Sequence, residues 1–519
     1  MSMVKLHQKL PVEWHEREKL REKGQFWTPN WVAEAMVAYV LDYAELVFDP
    51  ATGRGAFFEA LKKFSPTRKI TFFGTDIDAD VLSDNIYNDP SCIVELRDFI
   101  KNPPKRKFRA IVANPPYLRH HRIDEETKQF LKYLCTKITG FIIDGRAGYH
   151  VYFLLQALNL LETNGKLAFI MPADTCEGTF AKKLWNWITE NYCLECVITF
   201  DKDATPFPNV DTNAVVFLIK KDKPKKEIFW IKVNRAYSKD LFVFVSSHFK
   251  HTSLENLFVS KRDLKEALAT GLSRPQQNHI GYKYHLSDFA TVMRGIATGA
   301  NDFFYLTRKQ AEELEIPSKY LRVAIGRTKD ITGDTITKED VQELEKNLRP
   351  TLLLSIDQPE NDLPLKVRSY LRKGVELGLP ERPLIKQRHP WFKMEKREVP
   401  ELLFAYLGRR NTRFIKNVAG VLPLTGFLCV YTKSKDDKFV DRLWNILNHP
   451  DTLKNLQFVG KSYGAGAIKV EPRSLENLSI PEYIVDKYNF KKPYEYHEDQ
   501  LGFIYEKRRR YRSRHRIKE

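Results

Sequence analysis

The sequence predicts an α/β protein in two parts: a doubly wound sheet covered by helices on both faces, followed by a mixed α/β region. Apolar strand-like segments alternate with helical segments up to Lys220. Several of the strand-like segments are continuous apolar runs, which suit a sheet buried on both faces. The alternation is lost beyond residue 245, where aromatic and basic residues dominate. We therefore expect a separate second domain there.

Six segments are predicted as strands and three as helices. The strands are LVFDP, ITFFGTDID, FRAIVANPP, KLAFIMP, CLECVITF and AVVFLIK, and the helices are WVAEAMVAYVLDYA, GAFFEALKKF and HVYFLLQALNLLE. A loop containing proline separates the last two strands, which predicts a hairpin near one edge of the sheet. Cys193 and Cys196 lie in the fifth strand and are interpreted as partly buried thiols, since no second cysteine or histidine pair stands at zinc spacing.

The composition narrows the class of protein. A chain of 519 residues is too long for one ordinary core, and 43% hydrophobic with 29% charged residues is typical of a globular protein. A net charge of +18 favours a polyanionic partner, and nucleic acid is preferred because no apolar run is long enough to cross a bilayer. Six cysteines without a disulfide pattern, and no signal peptide, are consistent with the cytoplasm.

Changes in composition and charge along the chain predict the domain boundaries. The charge run KKDKPKKE follows Lys220, and the tail EKRRRYRSRHRIKE is strongly basic. We expect a catalytic domain over residues 1–245, a second domain over 246–485 and a basic tail over 486–519. Such a tail is usually a solvated segment, but it also has the charge to contact phosphates.

The first segment with chemical character is a glycine turn between a strand and a helix. It consists of Asp49, Pro50, Ala51, Thr52, Gly53, Arg54 and Gly55. Glycines in this position let the backbone pass close to a ligand and leave free N–H groups at the start of the helix. The turn lacks the third glycine of the dinucleotide fingerprint, so taken alone it is equally compatible with a tight structural turn.

Two further carboxylates follow in the order expected of a nucleoside site. Asp76 ends the second predicted strand, where a carboxylate is placed to accept both hydroxyl groups of a ribose. Asp98, in the segment Arg97-Asp98-Phe99, is placed to accept a hydrogen bond from an adenine amino group. Either residue alone could be a helix cap or a surface residue. Together with the glycine turn they predict a nucleoside ligand without phosphates.

The third predicted strand runs directly into a stiff loop. The loop is Asn114, Pro115, Pro116 and Tyr117. Its prolines fix the backbone and remove two N–H donors, so the loop displays carbonyl oxygens. The Asn114 side-chain oxygen and the Pro115 carbonyl are suited to accept both N–H bonds of an amine on an aromatic ring, which would aim its lone pair at a sulfonium methyl group. Tyr117 offers a flat face for stacking a base.

With these motifs the chain resembles the γ-class N6-adenine DNA methyltransferases of restriction–modification and phage-defence systems. The resemblance implies a Rossmann-like domain that binds S-adenosylmethionine, followed by a mixed α/β target-recognition domain. It also implies double-stranded DNA as substrate, a monomer, a cognate restriction endonuclease encoded nearby as a partner, and no metal. The expected host is a bacterium or an archaeon.

The resemblance assigns roles to individual residues. One segment would close over the methionine part of the cofactor; it contains Gln25, Phe26, Thr28 and Pro29. The glycine turn would hold the methionine end, through Asp49, Pro50, Ala51, Gly53 and Gly55. Asp76 would bind the ribose, Ile77 and Phe99 would pack on the adenine, Asp98 would accept from its amino group, and Asn114 would also lie against the cofactor. Phe207 would sandwich the flipped target base against Tyr117, with Phe200 as a rival.

The resemblance places the recognition domain between Arg294 and the segment 462–472. Basic side chains there alternate with aromatic ones and would supply contacts to phosphates and base edges. The candidates for DNA contact are Arg119, Arg294, Lys386, Arg388, Arg409 and Arg410. We expect about a third of the basic side chains in this region to contact DNA.

Two other functions remain open from the sequence. The same loop occurs in enzymes that methylate guanine N2 or adenine N6 in RNA, or glutamine in proteins. Those enzymes carry compact extra domains, whereas a long basic region follows the catalytic half here. The other alternative is a DNA-binding modification subunit that keeps the fold without the reaction.

Overall fold

The structure, a computed structural model, describes residues 26–64, 69–82, 88–176, 180–208, 213–276, 283–405, 412–463 and 467–490. The chain divides into two compact units. The first comprises Met1–Asn278 and Lys461–Gly466, and the second comprises His279–Gly460 and Ala467–Glu519. No helix in the described ranges is long and apolar enough to cross a membrane.

The first unit is built on a nine-stranded sheet with helices packed on it. Its strands are β1 (Leu46–Asp49), β2 (Thr71–Asp76), β3 (Cys92–Leu96), β4 (Phe108–Ala113), β5 (Leu161–Pro172), β6 (Cys193–Phe200), β7 (Ala214–Lys220), β8 (Glu227–Val233) and β9 (Leu257–Asp263). Its helices are α1 (Asn30–Leu41), α2 (Ala56–Phe64), α3 (Ala79–Leu82), α4 (Glu125–Thr139), α5 (Tyr149–Leu160), α6 (Ala181–Asn191), α7 (Asp240–Ser246) and α8 (Leu264–Thr270).

The strand order of this sheet is β3-β2-β1-β4-β5-β7-β6-β8-β9. Strands β1 to β5 are parallel to one another, and β7 inserts antiparallel between β5 and β6. The chain reverses direction across the sheet between β1 and β4, which is where open α/β sheets bind ligands. The predicted doubly wound, Rossmann-like fold is confirmed.

Both faces of the sheet are buried, as the continuous apolar runs predicted. In β1, Phe48 belongs to one hydrophobic core and Val47 to the other. In β4, Ile111 packs into the first core and Val112 into the second. Because successive side chains of a strand point to opposite faces, a strand with two covered faces must be apolar throughout.

The structure corrects two predictions about the extent of this unit. Strands β6 and β7 do form an antiparallel hairpin, but not at the sheet edge, since β8 and β9 extend the sheet beyond β6. The predicted boundary at residue 245 is too early, because β9 lies beyond it and the unit continues to Asn278. A buried Arg262 on β9 pairs with Glu266 on α8 and fixes this added edge.

The second unit contains two main sheets. Its strands are β10 (Tyr284–His285), β11 (Ala290–Arg294), β12 (Tyr305–Leu306), β13 (Leu321–Ile325), β14 (Thr335–Ile336), β15 (Leu352–Leu354), β16 (Leu402–Ala405), β17 (Arg413–Asn417), β18 (Leu422–Pro423), β19 (Phe427–Thr432), β21 (Ala467–Lys469) and β22 (Ser479–Ile480). Strand β20 (Lys461–Tyr463) lies between β19 and β21 in the chain and belongs to the first unit. The helices are α9 (Asn301–Phe304), α10 (Arg308–Glu313), α11 (Lys338–Lys346), α12 (Leu365–Glu376), α13 (Asp437–Asn448), α14 (Pro450–Lys454), α15 (Leu456–Val459), α16 (Pro472–Glu476) and α17 (Glu482–Lys487).

The larger sheet of this unit has the order β11-β19-β16-β17-β14, and the smaller has the order β12-β15-β13-β18. A separate two-stranded sheet pairs β10 with β22. Helix α13 packs on the larger sheet through Leu443 and Leu447, in one core with Phe404 and Phe414. The predicted mixed α/β character of this region is confirmed, while its role as a recognition domain stays a prediction. Of the predicted basic tail, residues 491–519 lie outside the described residues.

Candidate active site

A cavity of about 660 Å³ opens at the carboxyl ends of β1, β2 and β4 in the first unit. This volume is within the range of small-molecule sites. Ten of the residues predicted to bind the cofactor line it: Phe26, Thr28, Pro50, Ala51, Gly53, Asp76, Ile77, Asp98, Phe99 and Asn114. The folded chain therefore brings together most of the residues predicted from separate motifs. Gln25 lies outside the described residues.

The glycine turn is fastened to the end of β2 by hydrogen bonds. The Thr52 N–H donates to the Thr75 carbonyl at 3.1 Å, and the Gly53 N–H donates to Oδ2 of Asp76 at 2.9 Å. In return, the Thr75 hydroxyl donates to the Pro50 carbonyl at 3.0 Å. These bonds fix the turn as one wall of the cavity before any ligand is present.

Three glycines are required here, two by the backbone conformation and one by close packing. Gly53 and Gly55 have φ values of 51° and 73°, in the left-handed region where a side chain is strained. A Cβ on Gly74 would lie 2.1 Å from the methyl carbon of Thr52. Gly74 is therefore needed for the turn to pack closely on β2.

Asp49 is fully buried at the end of β1. Its Oδ1 accepts the Ala51 N–H at 3.0 Å, whereas its Oδ2 has no hydrogen-bond partner among the described residues. Burial raises the pKa of this carboxyl well above its ordinary range, against the opposing effect of the Ala51 N–H. A buried carboxylate oxygen without a donor is costly in the ligand-free protein, so this atom is suited to a cationic or N–H-bearing ligand.

The other two predicted carboxylates lie on the cavity wall. Asp76 also accepts the Asp78 N–H, at 3.0 Å, and burial raises the pKa of the Asp76 carboxyl. Asp98 caps a turn, since its Oδ1 accepts the N–H groups of Ile100 and Lys101 at 2.9 and 3.0 Å. The bonds preset the orientation of each carboxylate, and an oxygen with two lone pairs can accept a further bond.

The Asn114 amide is held in one orientation. Its Nδ2 donates to the backbone carbonyl of Phe26, while its Oδ1 is buried without a hydrogen-bond partner among the described residues. Pro115, next in the loop, is buried, and Pro116 lines the cavity. The loop thus holds a buried acceptor oxygen in one orientation on a residue that lines the cavity, and its role in binding an amine stays a prediction.

Three aromatic rings meet beside this loop. Phe26 lies 5.3 Å from Tyr117 and 5.9 Å from Phe207 between ring centroids, and Tyr117 and Phe207 are 6.1 Å apart at an interplanar angle of 82°. The Tyr117 hydroxyl donates to the Ile170 carbonyl at 3.2 Å. Phe207 is only 4% exposed and belongs to the hydrophobic core. Phe200, the rival, contacts Trp31 instead.

Several cavity residues were not predicted. Trp27 and Arg54 line the cavity, with the guanidinium carbon of Arg54 4.1 Å from the Trp27 ring centroid. Thr52 lines it too, and both Thr52 and Arg54 stand inside the glycine turn, so the motif itself was a signal for them. Tyr149 and Phe153 reach the cavity from α5. Their position depends on packing and had no signal in the sequence.

The basic residues proposed to bind DNA differ in their surroundings. Arg294 and Lys386 are exposed side chains paired with Glu471 and Glu381. Arg388 is half-buried, and its Nη2 donates to the Ala297 carbonyl at 2.6 Å. Arg119 is exposed, whereas Arg409 and Arg410 lie outside the described residues. DNA contact by any of them stays a prediction. Within the described ranges, no cluster of three or more His, Cys, Asp or Glu side chains could hold a metal ion.

Two family models match this chain. The family model described as N-6 DNA Methylase matches residues 13–258, which include the glycine turn and the loop at Asn114. Nearly half of the chain is therefore similar to the N-6 DNA methylase family. The predicted family and its activity, methylation of adenine N6 in DNA, are thereby confirmed. A second model, for the C-terminal domain of the Type II methyltransferase M.Eco57I, matches residues 276–500 of this N-6 DNA methylase.

Similar proteins extend over most of the methylase chain. It is 26% identical over 481 residues to the Type II methyltransferase M.AccI of Acinetobacter calcoaceticus, covering 91% of this chain and 87% of that protein. It is 22% identical over 474 residues to the Type II methyltransferase M.XamI of Xanthomonas campestris pv. amaranthicola, covering 88% and 85%.

Among solved structures, the Type IIL restriction–modification enzyme MmeI in complex with DNA has a TM-score of 0.50 at 13% identity, covering 95% of this chain and 75% of that one. At this identity the likeness shows the fold alone. The type IIG restriction endonuclease BpuSI has a TM-score of 0.47 at 16% identity, and the methylase chain spans 62% of its length.

Proposed function

We propose that this N-6 DNA methylase is the modification enzyme of a Type II restriction–modification system and transfers a methyl group from S-adenosylmethionine to N6 of a flipped-out adenine at a specific duplex sequence. The observation that carries the proposal is the Asn114 amide. Its Nδ2 is engaged by the Phe26 carbonyl, so its Oδ1 is the atom left to accept a hydrogen bond. The Type II assignment is supported by the similarity to M.AccI and M.XamI over most of each chain.

The cavity residues, together with the buried Asp49 that precedes the lining residue Pro50, fit the cofactor. The unpartnered Oδ2 of Asp49 suits the ammonium group of the methionine part, and the Asp76 carboxylate suits the ribose hydroxyls. Ile77, which is 72% exposed, and Phe99 both line the cavity and supply apolar surface for adenine, and Asp98 lines the cavity as the acceptor for its amino group. When bound, S-adenosylmethionine supplies an electrophilic methyl group on a sulfonium centre.

The chain's own part in the reaction is to prepare the amine. The exocyclic nitrogen of adenine is a poor nucleophile because its lone pair is delocalised into the ring. Hydrogen bonds from its two N–H groups to Asn114 Oδ1 and the Pro115 carbonyl favour tetrahedral geometry at nitrogen and localise that lone pair. Preoriented acceptors of this kind commonly contribute 10²- to 10³-fold to a rate.

The aromatic cluster next to the loop is proposed as the binding place of the flipped base. A base between two parallel rings needs about 7 Å between them, whereas Tyr117 and Phe207 lie at 6.1 Å and edge to face. We therefore expect the base to stack on Tyr117 and to displace the Phe26 ring, which occupies that contact here. Aromatic stacking helps offset the few kcal/mol that extraction of a base costs.

The test is transfer of tritiated methyl groups from S-adenosylmethionine to four acceptors: duplex DNA, single-stranded DNA, RNA and a glutamine-containing peptide. The proposal predicts that label enters duplex DNA and is recovered as N6-methyladenine, with Asn114→Ala as the matched inactive control. Label in RNA or peptide without label in DNA would contradict the proposal and favour an RNA or protein methyltransferase. Binding of DNA with no transfer to any acceptor would favour the non-catalytic subunit. Three further expectations for this enzyme remain predictions: a cytoplasmic location, a monomeric state and a partner nuclease.

A further inference from the structure

We propose that His150 is a positioning residue for methyl transfer, because its ring holds the ring of Tyr117 in the plane on which the target base stacks. The inference rests on the proposed function, in which Tyr117 is the stacking surface for the flipped adenine. It concerns a histidine to which the sequence motifs assign no role.

The imidazole of His150 is buried and makes no hydrogen bond with the described residues. His150 lies in the first turn of α5 and is 5% exposed, and both of its ring nitrogens are buried without a partner in the described part of the chain. Burial lowers the pKa of His150, against the opposing effect of Asp174, so the ring is uncharged near neutral pH. Because its nitrogens hold no other group, the role of His150 lies in the contacts of the ring itself.

The ring of His150 meets the ring of Tyr117. The two centroids are 5.9 Å apart, and the planes are inclined at 72°. This is the edge-to-face arrangement that aromatic pairs prefer. The contact therefore favours one orientation of the Tyr117 ring over others.

Tyr117 needs such a contact because its own bonds leave one rotation free. The loop backbone fixes one end of the ring axis, and the hydroxyl bond to the Ile170 carbonyl, at 3.2 Å, fixes the other. Neither end prevents rotation of the ring about this axis, since the torsion has broad minima. That rotation sets the plane against which a base would stack.

Three rings in the described part of the chain contact Tyr117 and oppose this rotation. They are Phe26 at 5.3 Å, His150 at 5.9 Å and Phe207 at 6.1 Å. In the proposed function the base displaces Phe26, so His150 and Phe207 are the two rings that keep the plane of Tyr117 while the base is bound.

The backbone at the start of α5 sets the position of the imidazole. The Tyr149 N–H donates to the Leu118 carbonyl at 2.9 Å, which ties the first turn of α5 to the residue after Tyr117. A Cβ on Gly148 would lie 2.4 Å from Cε1 of His150 and 3.0 Å from the Leu118 carbonyl oxygen. The imidazole therefore packs directly on Gly148, and its place relative to the loop is fixed by a bond between the two segments.

The experiment compares single-turnover transfer of tritiated methyl groups to duplex DNA by the full-length protein and three variants. His150→Leu keeps a buried apolar side chain without a ring, and His150→Phe keeps a ring without the nitrogens. Leu155→Ala is the matched control, because Leu155 is fully buried on the same helix. Calorimetry with S-adenosylhomocysteine and urea denaturation give the cofactor affinity and the free energy of unfolding of each variant.

His150→Leu should lower the rate by about 3- to 10-fold, the equivalent of one aromatic pair. Its affinity for S-adenosylhomocysteine should stay within about twofold of wild type. His150→Phe should transfer at nearly the wild-type rate, since it keeps the edge-to-face contact. Leu155→Ala should lower the free energy of unfolding and leave the rate unchanged.

A wild-type rate in His150→Leu would overturn the inference. A rate loss in His150→Phe with its fold intact would overturn it as well, because the ring would then not be the group that acts. An equal loss in Leu155→Ala would mean that the rate follows stability and not the orientation of Tyr117, which also contradicts the inference. If the wild-type protein transfers no methyl group to DNA, the proposed function itself is wrong, which is a distinct result.

Discussion

The glycine turn and neighbouring loop of the first unit differ from two exposed basic side chains of the second unit, Arg294 and Lys386, in how their polar groups are satisfied. At the turn and the neighbouring loop, Asp49 and Asn114 each keep a buried oxygen without a partner. In the second unit, Arg294 and Lys386 are paired with carboxylates of their own chain. Unpaired buried groups store a cost that a ligand relieves, whereas exposed ion pairs contribute little and exchange readily. The comparison predicts that a ligand of the first unit meets groups that are already oriented, whereas the predicted DNA contacts of Arg294 and Lys386 must replace existing ion pairs.

The largest effect is expected from Asn114→Ala. The substitution removes the preoriented acceptor at the reacting nitrogen, so the single-turnover rate of methyl transfer should fall by about 10²- to 10³-fold. DNA affinity, measured by fluorescence anisotropy, should stay within about threefold. A rate close to wild type would mean that the unpaired oxygen is not an acceptor for the amine.

Asp76→Asn should have the next largest effect. It removes the charge of the carboxylate that faces the cavity, and binding of S-adenosylhomocysteine should weaken by about 10- to 100-fold in calorimetry. Glu59→Gln on α2 is the matched control, because Glu59 forms only an exposed pair with Lys62. Equal affinities for the two variants would contradict the ribose assignment.

Arg388 and Lys386 form a matched pair of basic residues two positions apart. Arg388→Ala removes a donor from the Ala297 carbonyl, so the free energy of unfolding should fall by about 1–3 kcal/mol in urea denaturation. Lys386→Ala should leave stability unchanged, since its pair with Glu381 is exposed. If Lys386 contacts a phosphate, its loss should lower the slope of log K against log salt by about one. A loss of stability in Lys386→Ala, with no loss in Arg388→Ala, would contradict this comparison.

The smallest effect is a change in pH dependence caused by Asp49. Burial raises the pKa of this carboxyl in the folded protein, so the folded state retains a proton that the unfolded chain releases. The stability of the ligand-free protein should therefore fall as pH rises from about 4 towards the raised pKa. Asp49→Asn should flatten this fall and stabilise the ligand-free protein by about 1 kcal/mol near neutral pH, while weakening cofactor binding. A thermal-denaturation series against pH measures the slope and the stability of both proteins; an unchanged slope in Asp49→Asn would contradict the raised pKa of Asp49.

The sequence predicted those parts of the fold that have a local pattern. Strand β4, with Ile111 and Val112, is apolar at every buried position and was found, as was the loop that follows it. Strand β3 was missed because it is a short edge strand with Ile93 51% and Leu96 64% exposed. Helix α4 was missed because it is largely polar and buries little beyond Leu131 and Leu134 on one side.

The same distinction applies to the site. The predicted site residues stand at or directly after the ends of parallel strands: Asp49, Asp76 and Asn114. Because the carboxyl ends of parallel strands meet at one edge of the sheet, their place in the sequence predicts that they lie close together. The bond from Asn114 to the Phe26 carbonyl joins residues 88 positions apart and has no counterpart in a local pattern. The contact of Phe26 with Tyr117 and Phe207 likewise depends on tertiary packing, so the sequence could name the rings but not their arrangement.

The central claim is that the Asn114 loop prepares adenine N6 for methylation in a defined DNA sequence. Single-molecule sequencing of plasmid DNA from cells that express the wild-type protein tests it most directly, with cells that express Asn114→Ala as the reference. We expect N6-methyladenine at one recognition sequence, on nearly every copy, and none above background in the reference. Unmodified DNA, modified cytosine, or equal modification in both strains would contradict the account.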